Sequence, residues 1–145
     1  MAMDLIGLQD AIVAGLNAET FSEALAAERN YDIAKEPSEI SAAVAIVILK
    51  EVAEVEKITR GKSTMSATVG VVIEKAVNTR DQATLDALLN LSQDVLDYMR
   101  YKQYKTLDGE PFAINSQLTT PYDTASLNAG IFISAIDIEF KFIGV

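Results

Sequence analysis

The chain has 145 residues, half of them hydrophobic and 23% charged, a balance that fits one globular domain and no more. It holds no cysteine and no histidine. Disulfides, thiolate nucleophiles, Ser-His-Asp triads, Cys-His dyads and His-bearing zinc sites are therefore excluded by composition. A formal net charge of -9 opposes binding to a phosphate backbone and otherwise serves solubility.

Leu5, Leu8, Ile12 and Leu16 recur at helical spacing and predict a helix over 4–17, with Asp4 as its cap. Gly7 and Gly15 each weaken it by about 1 kcal/mol relative to alanine, so packing must hold it. Asp4 and Asp10 interrupt the first sixteen residues, which lack the basic start and apolar run of a signal peptide. This predicts a soluble, cytoplasm-made protein.

Phe21 to Tyr31 fits either state: Ala24, Ala26 and Ala27 favour helix, while Phe21, Leu25 and Tyr31 suit a strand. Glu36-Pro37 breaks the chain, because the residue before proline is steered from helical angles. Ser38 to Ser41 predicts a short helical turn. Ala42 to Leu49 is continuous and β-branched, the pattern of a strand buried on both faces. At eight residues it falls far short of the ~20 that span a bilayer.

Val52 to Ser66 is polar, with Glu54, Glu56, Lys57, Arg60 and Lys62 around Gly61, and reads as a hairpin arm or a flexible connection. A strand over 65–77 follows. Met65, Ala67, Val69, Val71 and Ile73 line one face of it; Thr64, Ser66, Thr68, Gly70 and Glu74 line the other. Thr79 and Gln82 form a capping box for a helix over 80–101, whose apolar stripe is Leu85, Leu88, Leu89, Leu96 and Met99.

Tyr98, Tyr101 and Tyr104 alternate with cations at the exit of that helix, where a helix end packed on the sheet or on a protein partner, with the tyrosines as interface anchors, explains them better than stacking on bases. Pro111 to Leu118 predicts a short edge strand. Ile131 to Phe142 alternates, with Ile136, Ile138, Phe140 and Phe142 inward and Asp137, Glu139 and Lys141 outward. The sum is a single α+β domain: a mostly antiparallel sheet of four to five strands with two main helices packed on one face.

Little here suggests chemistry. Asp94 and Asp97 lie three apart on a helix, and Asp137 and Glu139 share a strand face. Solvated surfaces explain both pairs, whereas paired-carboxylate catalysis needs two acids facing each other across ~5 to 10 Å of a cleft. Gly61-Lys62-Ser63 matches the end of a phosphate-binding loop, but Glu56 stands where that motif needs its first glycine. No calcium loop or dinucleotide fingerprint occurs. The expectation is a protein without catalytic, cofactor-binding or metal-binding residues, whose candidate contact residues are Glu54, Glu56, Lys57, Arg60, Lys62, Tyr98, Tyr101 and Tyr104.

Four stretches carry a resemblance: Asp4 to Asn17, Phe21-Ser22 leading to Ala27–Tyr31, Asp86 to Leu89, and Ile136 to Phe142. In order and spacing they resemble the tailed-bacteriophage tail-completion proteins, the tail terminator or neck group. The resemblance implies a small α/β domain that forms a ring, usually of six copies, capping the tail tube and offering the surface onto which the head joins. Leu25 to Tyr31 should then be a strand, and Val52 to Ser66 an arm reaching a ring neighbour. Implied partners are further copies of the chain, the tail tube protein, a head-side connector or stopper and the sheath protein. DNA would be met only as it passes through the lumen, with no membrane involved, and the location would be the virion. Ile33 to Pro37 is less apolar than the family pattern. Alternatives are another neck component, such as a stopper or sheath-associated ring, a non-catalytic cytoplasmic adaptor, and a carboxylate-dependent hydrolase.

Overall fold

The computed structural model describes residues 3–32, 42–77 and 81–145. The Ser38–Ser41 turn, the Ile33–Pro37 stretch and Thr79 of the capping box lie outside the described residues.

Eight elements follow in chain order: α1 (Leu5–Ala18), β1 (Leu25–Arg29), β2 (Ala43–Thr59), β3 (Lys62–Ala76), α2 (Gln82–Met99), β4 (Phe112–Thr120), α3 (Thr124–Asn128) and β5 (Ile131–Ile143). The strands form one sheet in the order β1-β2-β3-β5-β4. β1 runs parallel to β2, and the other three pairings are antiparallel. The domain is α+β with a mixed, mostly antiparallel sheet.

Alternation in β3 and β5 decides which face is covered. Val69 pairs with Ile138, Val71 with Ile136 and Ala67 with Phe140, so their side chains share a face. All six are fully buried, in one core with Ala45 and Val47 of β2, Leu8, Ile12 and Leu16 of α1, and Leu91, Val95 and Met99 of α2. Both long helices thus cover the same face.

Each helix is held at its start. The Asp4 carboxylate accepts from the Gly7 amide at 2.7 Å, the expected cap of α1. The residue capping α2 is Asp81, whose carboxylate accepts from the Thr84 hydroxyl at 3.1 Å. The stripe that α2 buries is Leu88, Leu91, Ser92, Val95 and Met99, which keeps Leu88 and Met99 of the expected stripe and replaces its other members. Leu85, Leu89 and Leu96 flank it, because the helix turns its 88/91/95/99 row squarely onto the sheet.

The ambiguous segment is strand β1, tied to α1 by side chains rather than by its own apolar pattern. The Asn17 oxygen accepts from the Ala27 amide at 2.7 Å, and its amino group donates back to the Ala27 carbonyl at 3.1 Å. Arg29 also donates to Asp10 at 3.0 Å. α3 was not anticipated; it is a single turn, capped by Asp123 at the Ser126 amide.

Because Ile136 is fully buried in the central strand pair, Ile136→Ala should lower unfolding free energy by about 3 kcal/mol. Lys141→Ala, on the uncovered face of the same strand, should stay within about 0.5 kcal/mol. Urea denaturation of both variants checks the assignment of faces.

Candidate interaction surface

β2 does not end at Leu49, as its apolar run suggested, but continues to Thr59 against β3. Register shifts at Leu49/Glu51, Glu54/Glu56 and Lys57/Thr59 bend it as it goes. Of the two alternatives for Val52 to Ser66, the structure is a hairpin arm. Gly61 closes it at φ +88, a backbone region that side-chain-bearing residues rarely adopt. β5 pairs with β3 as far as Thr64, opposite Ile143, and Val145 accepts from the Ser63 amide at 2.9 Å, so only the turn around Gly61 projects past the sheet.

The arm carries every charged residue expected of it: Glu54, Glu56, Lys57, Arg60 and Lys62 are all exposed. Ser63 donates to Glu54 at 2.7 Å, bracing the arm across its two strands. What the polar composition concealed is an apolar component. Val52, Val55 and Ile58 are 40%, 58% and 49% exposed. Exposed valine and isoleucine along a projecting strand, rimmed by charge, mark a surface suited to another polypeptide.

The three tyrosines separate. Tyr104 turns inward, packing on Phe140 with ring centroids 5.9 Å apart, and belongs to the core margin. Tyr98 stands edge-on to Phe21 at 5.7 Å and beneath the Lys102 ammonium at 3.9 Å, a cation–π contact that fixes the helix exit. Only Tyr101 is free for a partner, at 86% exposure. It also holds φ +66, just past the α2 cap residue Arg100, where glycine is the usual occupant. A hollow of about 220 Å3 joins it to Arg100, Ala113, Ile114, Asn115 and Ser116 at the edge strand β4.

The sheet face away from α1 and α2 is apolar at one end, with Ile46, Ile48, Val72, Ile133 and Ala135, and polar toward the arm. Register places Glu51, Thr68, Glu139 and Asn115 in one row across four strands. In the next row Lys50 reaches over Gly70 to donate to both Asp137 oxygens, at 2.9 and 3.1 Å. A Cβ at Gly70 would stand 2.9 Å from the Lys50 Cδ, so the missing side chain makes room for this bridge. Asp94 and Asp97 lie on the exposed side of α2, where Asp97 is 3.8 Å from Arg100. Among the described residues no group of three or more acids is placed to hold a metal ion. No helix among them is long and apolar enough to cross a membrane.

Two outcomes follow from the tyrosines. Tyr101→Gly should raise unfolding free energy by roughly 1 kcal/mol by relieving the left-handed backbone, while weakening any association that uses the ring. Thermal melts set beside sedimentation separate the two effects. Burial pushes the Tyr104 hydroxyl well above the ordinary tyrosine range, with Tyr98 nearby adding to it. The unfolded chain releases that proton near pH 10 and the folded chain does not, so stability should fall as pH rises past about 10. Tyr104→Phe should flatten this part of the fall, as read by denaturation at several alkaline pH values.

No protein-family model matches the chain, and no curated protein matches it either.

Proposed function

We propose that this chain is a structural subunit of a bacteriophage head–tail neck, resembling a tail terminator, that acts by assembling with further copies of itself into a ring. The observation that carries the reading is the outer part of β2, which is paired to β3 along its length and leaves Val52, Val55 and Ile58 in solvent. The exposed outer part of this arm, Val55 to Lys62, adds nothing to its own domain's core. It gains stability once another chain covers it.

The order of elements supports the same reading, since α1, the added strand β1, α2 and the closing β5 fall where the family resemblance puts them. In the ring, the polar part of the sheet face away from α1 and α2, with Glu51 and Glu139, faces the channel, and like charge keeps passing DNA from adhering. One end of the ring meets the tube and the other the head-side connector. Neither contact needs a cofactor or a reaction.

Replacing Val55 and Ile58 by aspartate tests this. Both are surface positions, so unfolding free energy should change by no more than about 0.5 kcal/mol each, yet the oligomer should be lost in sedimentation velocity. A parent protein that sediments as one chain at every concentration, with and without tail tubes, would overturn the reading. A one-to-one complex with a single unrelated protein would favour an adaptor instead.

A further inference from the structure

We propose that neighbouring copies join edge to edge, the open stretch of β4 in one copy adding as an antiparallel strand to the open stretch of β2 in the next. This rests on the ring-assembly reading above and identifies the interface within it.

The sheet has two edges that are only partly used. β1 lies along β2 as far as Val47, where the Asn30 amide makes the last contact at 3.1 Å. From Leu49 to Thr59, no strand among the described residues lies on the outer side of β2. At the opposite edge the Lys102–Tyr104 segment covers only the start of β4, through Tyr104 to Pro111 at 2.9 Å and Ala113 to Lys102 at 2.8 Å. From Ile114 to Thr120 the edge is again open among the described residues. That stretch contains no charged side chain at all. Edges meant to stay solvated are ordinarily guarded by charge, so an unguarded one is suited to pairing.

Direction and register both permit the union. β2, β3, β5 and β4 alternate in direction across the sheet, so placing the next copy's β2 beside β4 continues the alternation without reversal. Such a head-to-tail contact uses a different surface on each partner, the kind that closes into a ring. Level pairing is blocked, because Leu118 lies in the row of Val47, which β1 already occupies. The incoming strand must slide toward the arm. Matching helix-side residues to helix-side residues then places Leu118 beside Val52, four rows or roughly 13 Å along. A fixed stagger of this kind is what tilts strands in a closed sheet.

Charge agrees with that register. Arg100, beside Ile114 and Ser116, would meet Glu54 and Glu56 of the neighbour. Asp108 and Glu110, in the loop before β4, would lie toward its basic tip of Lys57, Arg60 and Lys62. Pairing β2 with a second β2 would instead bring two acidic stretches together.

The natural absence of cysteine makes a disulfide test clean. Val52 and Leu118 stand three strands apart within one copy, roughly 14 Å, too far for an internal bridge. Under mild oxidation, Val52→Cys combined with Leu118→Cys, or with Ser116→Cys if the stagger is two rows shorter, should give a ladder of dimers, trimers and higher species. Val52→Cys with Gln117→Cys, whose side chains point to opposite sheet faces, should give several-fold less. Oligomers in light scattering with no ladder from either same-face pair would overturn the edge pairing and leave ring assembly standing. Dimers from Val52→Cys alone would overturn it in favour of a two-fold β2 contact. A parent chain that never associates would remove both proposals together.

Discussion

The two-residue alternation of β3 and β5 is the constraint on which the rest of the molecule depends. It sends Val69, Val71, Ile136, Ile138 and Phe140 to one side of the sheet and Thr68, Gly70, Asp137 and Glu139 to the other. Because the side-chain period is two, a slip of one residue would exchange these sets and bury two carboxylates under the helices. Register is therefore strongly fixed at the centre. A sheet whose long helices lie on one side is also left with two partly open edges and, near Glu51 and Glu139, an open stretch of its second face to present. The functional surface is the remainder of that packing solution.

Much of this was legible in the amino-acid order, for identifiable reasons. β5 alternates apolar and charged residues from Ile136 to Phe142, and α2 has a long apolar stripe, so both were placed within a residue or two of their observed ends. The exact stripe was misjudged because leucines are common at flanking positions. Only packing decided that Leu91 and Val95 face the sheet and that Leu85 and Leu89 lie to its side. β1 was ambiguous because its identity comes from outside itself: Asn17 bonds both backbone groups of Ala27, and no local pattern reports such a tertiary bond. The arm was legible as an arm through its charge, whereas its continuous pairing with β3 was hidden by the bulges that break its alternation.

The candidate surface was half visible. Charge drew attention to Glu54, Glu56, Lys57, Arg60 and Lys62, and aromatic spacing to the tyrosines. Spacing could not distinguish Tyr104, pinned on Phe140, from Tyr101, held out in solvent on a left-handed backbone. The exposed Val52, Val55 and Ile58 were passed over because, in a mixed polar stretch, apolar residues read as ordinary strand punctuation. Exposure is a property of the fold. It became readable only once β2 was seen to run on beyond β1, leaving its outer side open among the described residues.

These features support the proposal of a protein that acts through shape. Its arm carries Glu54 and Glu56 in solvent, and Asp137 is engaged by Lys50 across three strands. Electron microscopy of the purified, unaltered protein addresses the central claim most directly. Closed rings with a central opening, built from repeated copies of one small domain, are the predicted image. Uniform particles the size of a single 15.7 kDa chain at every concentration would contradict it.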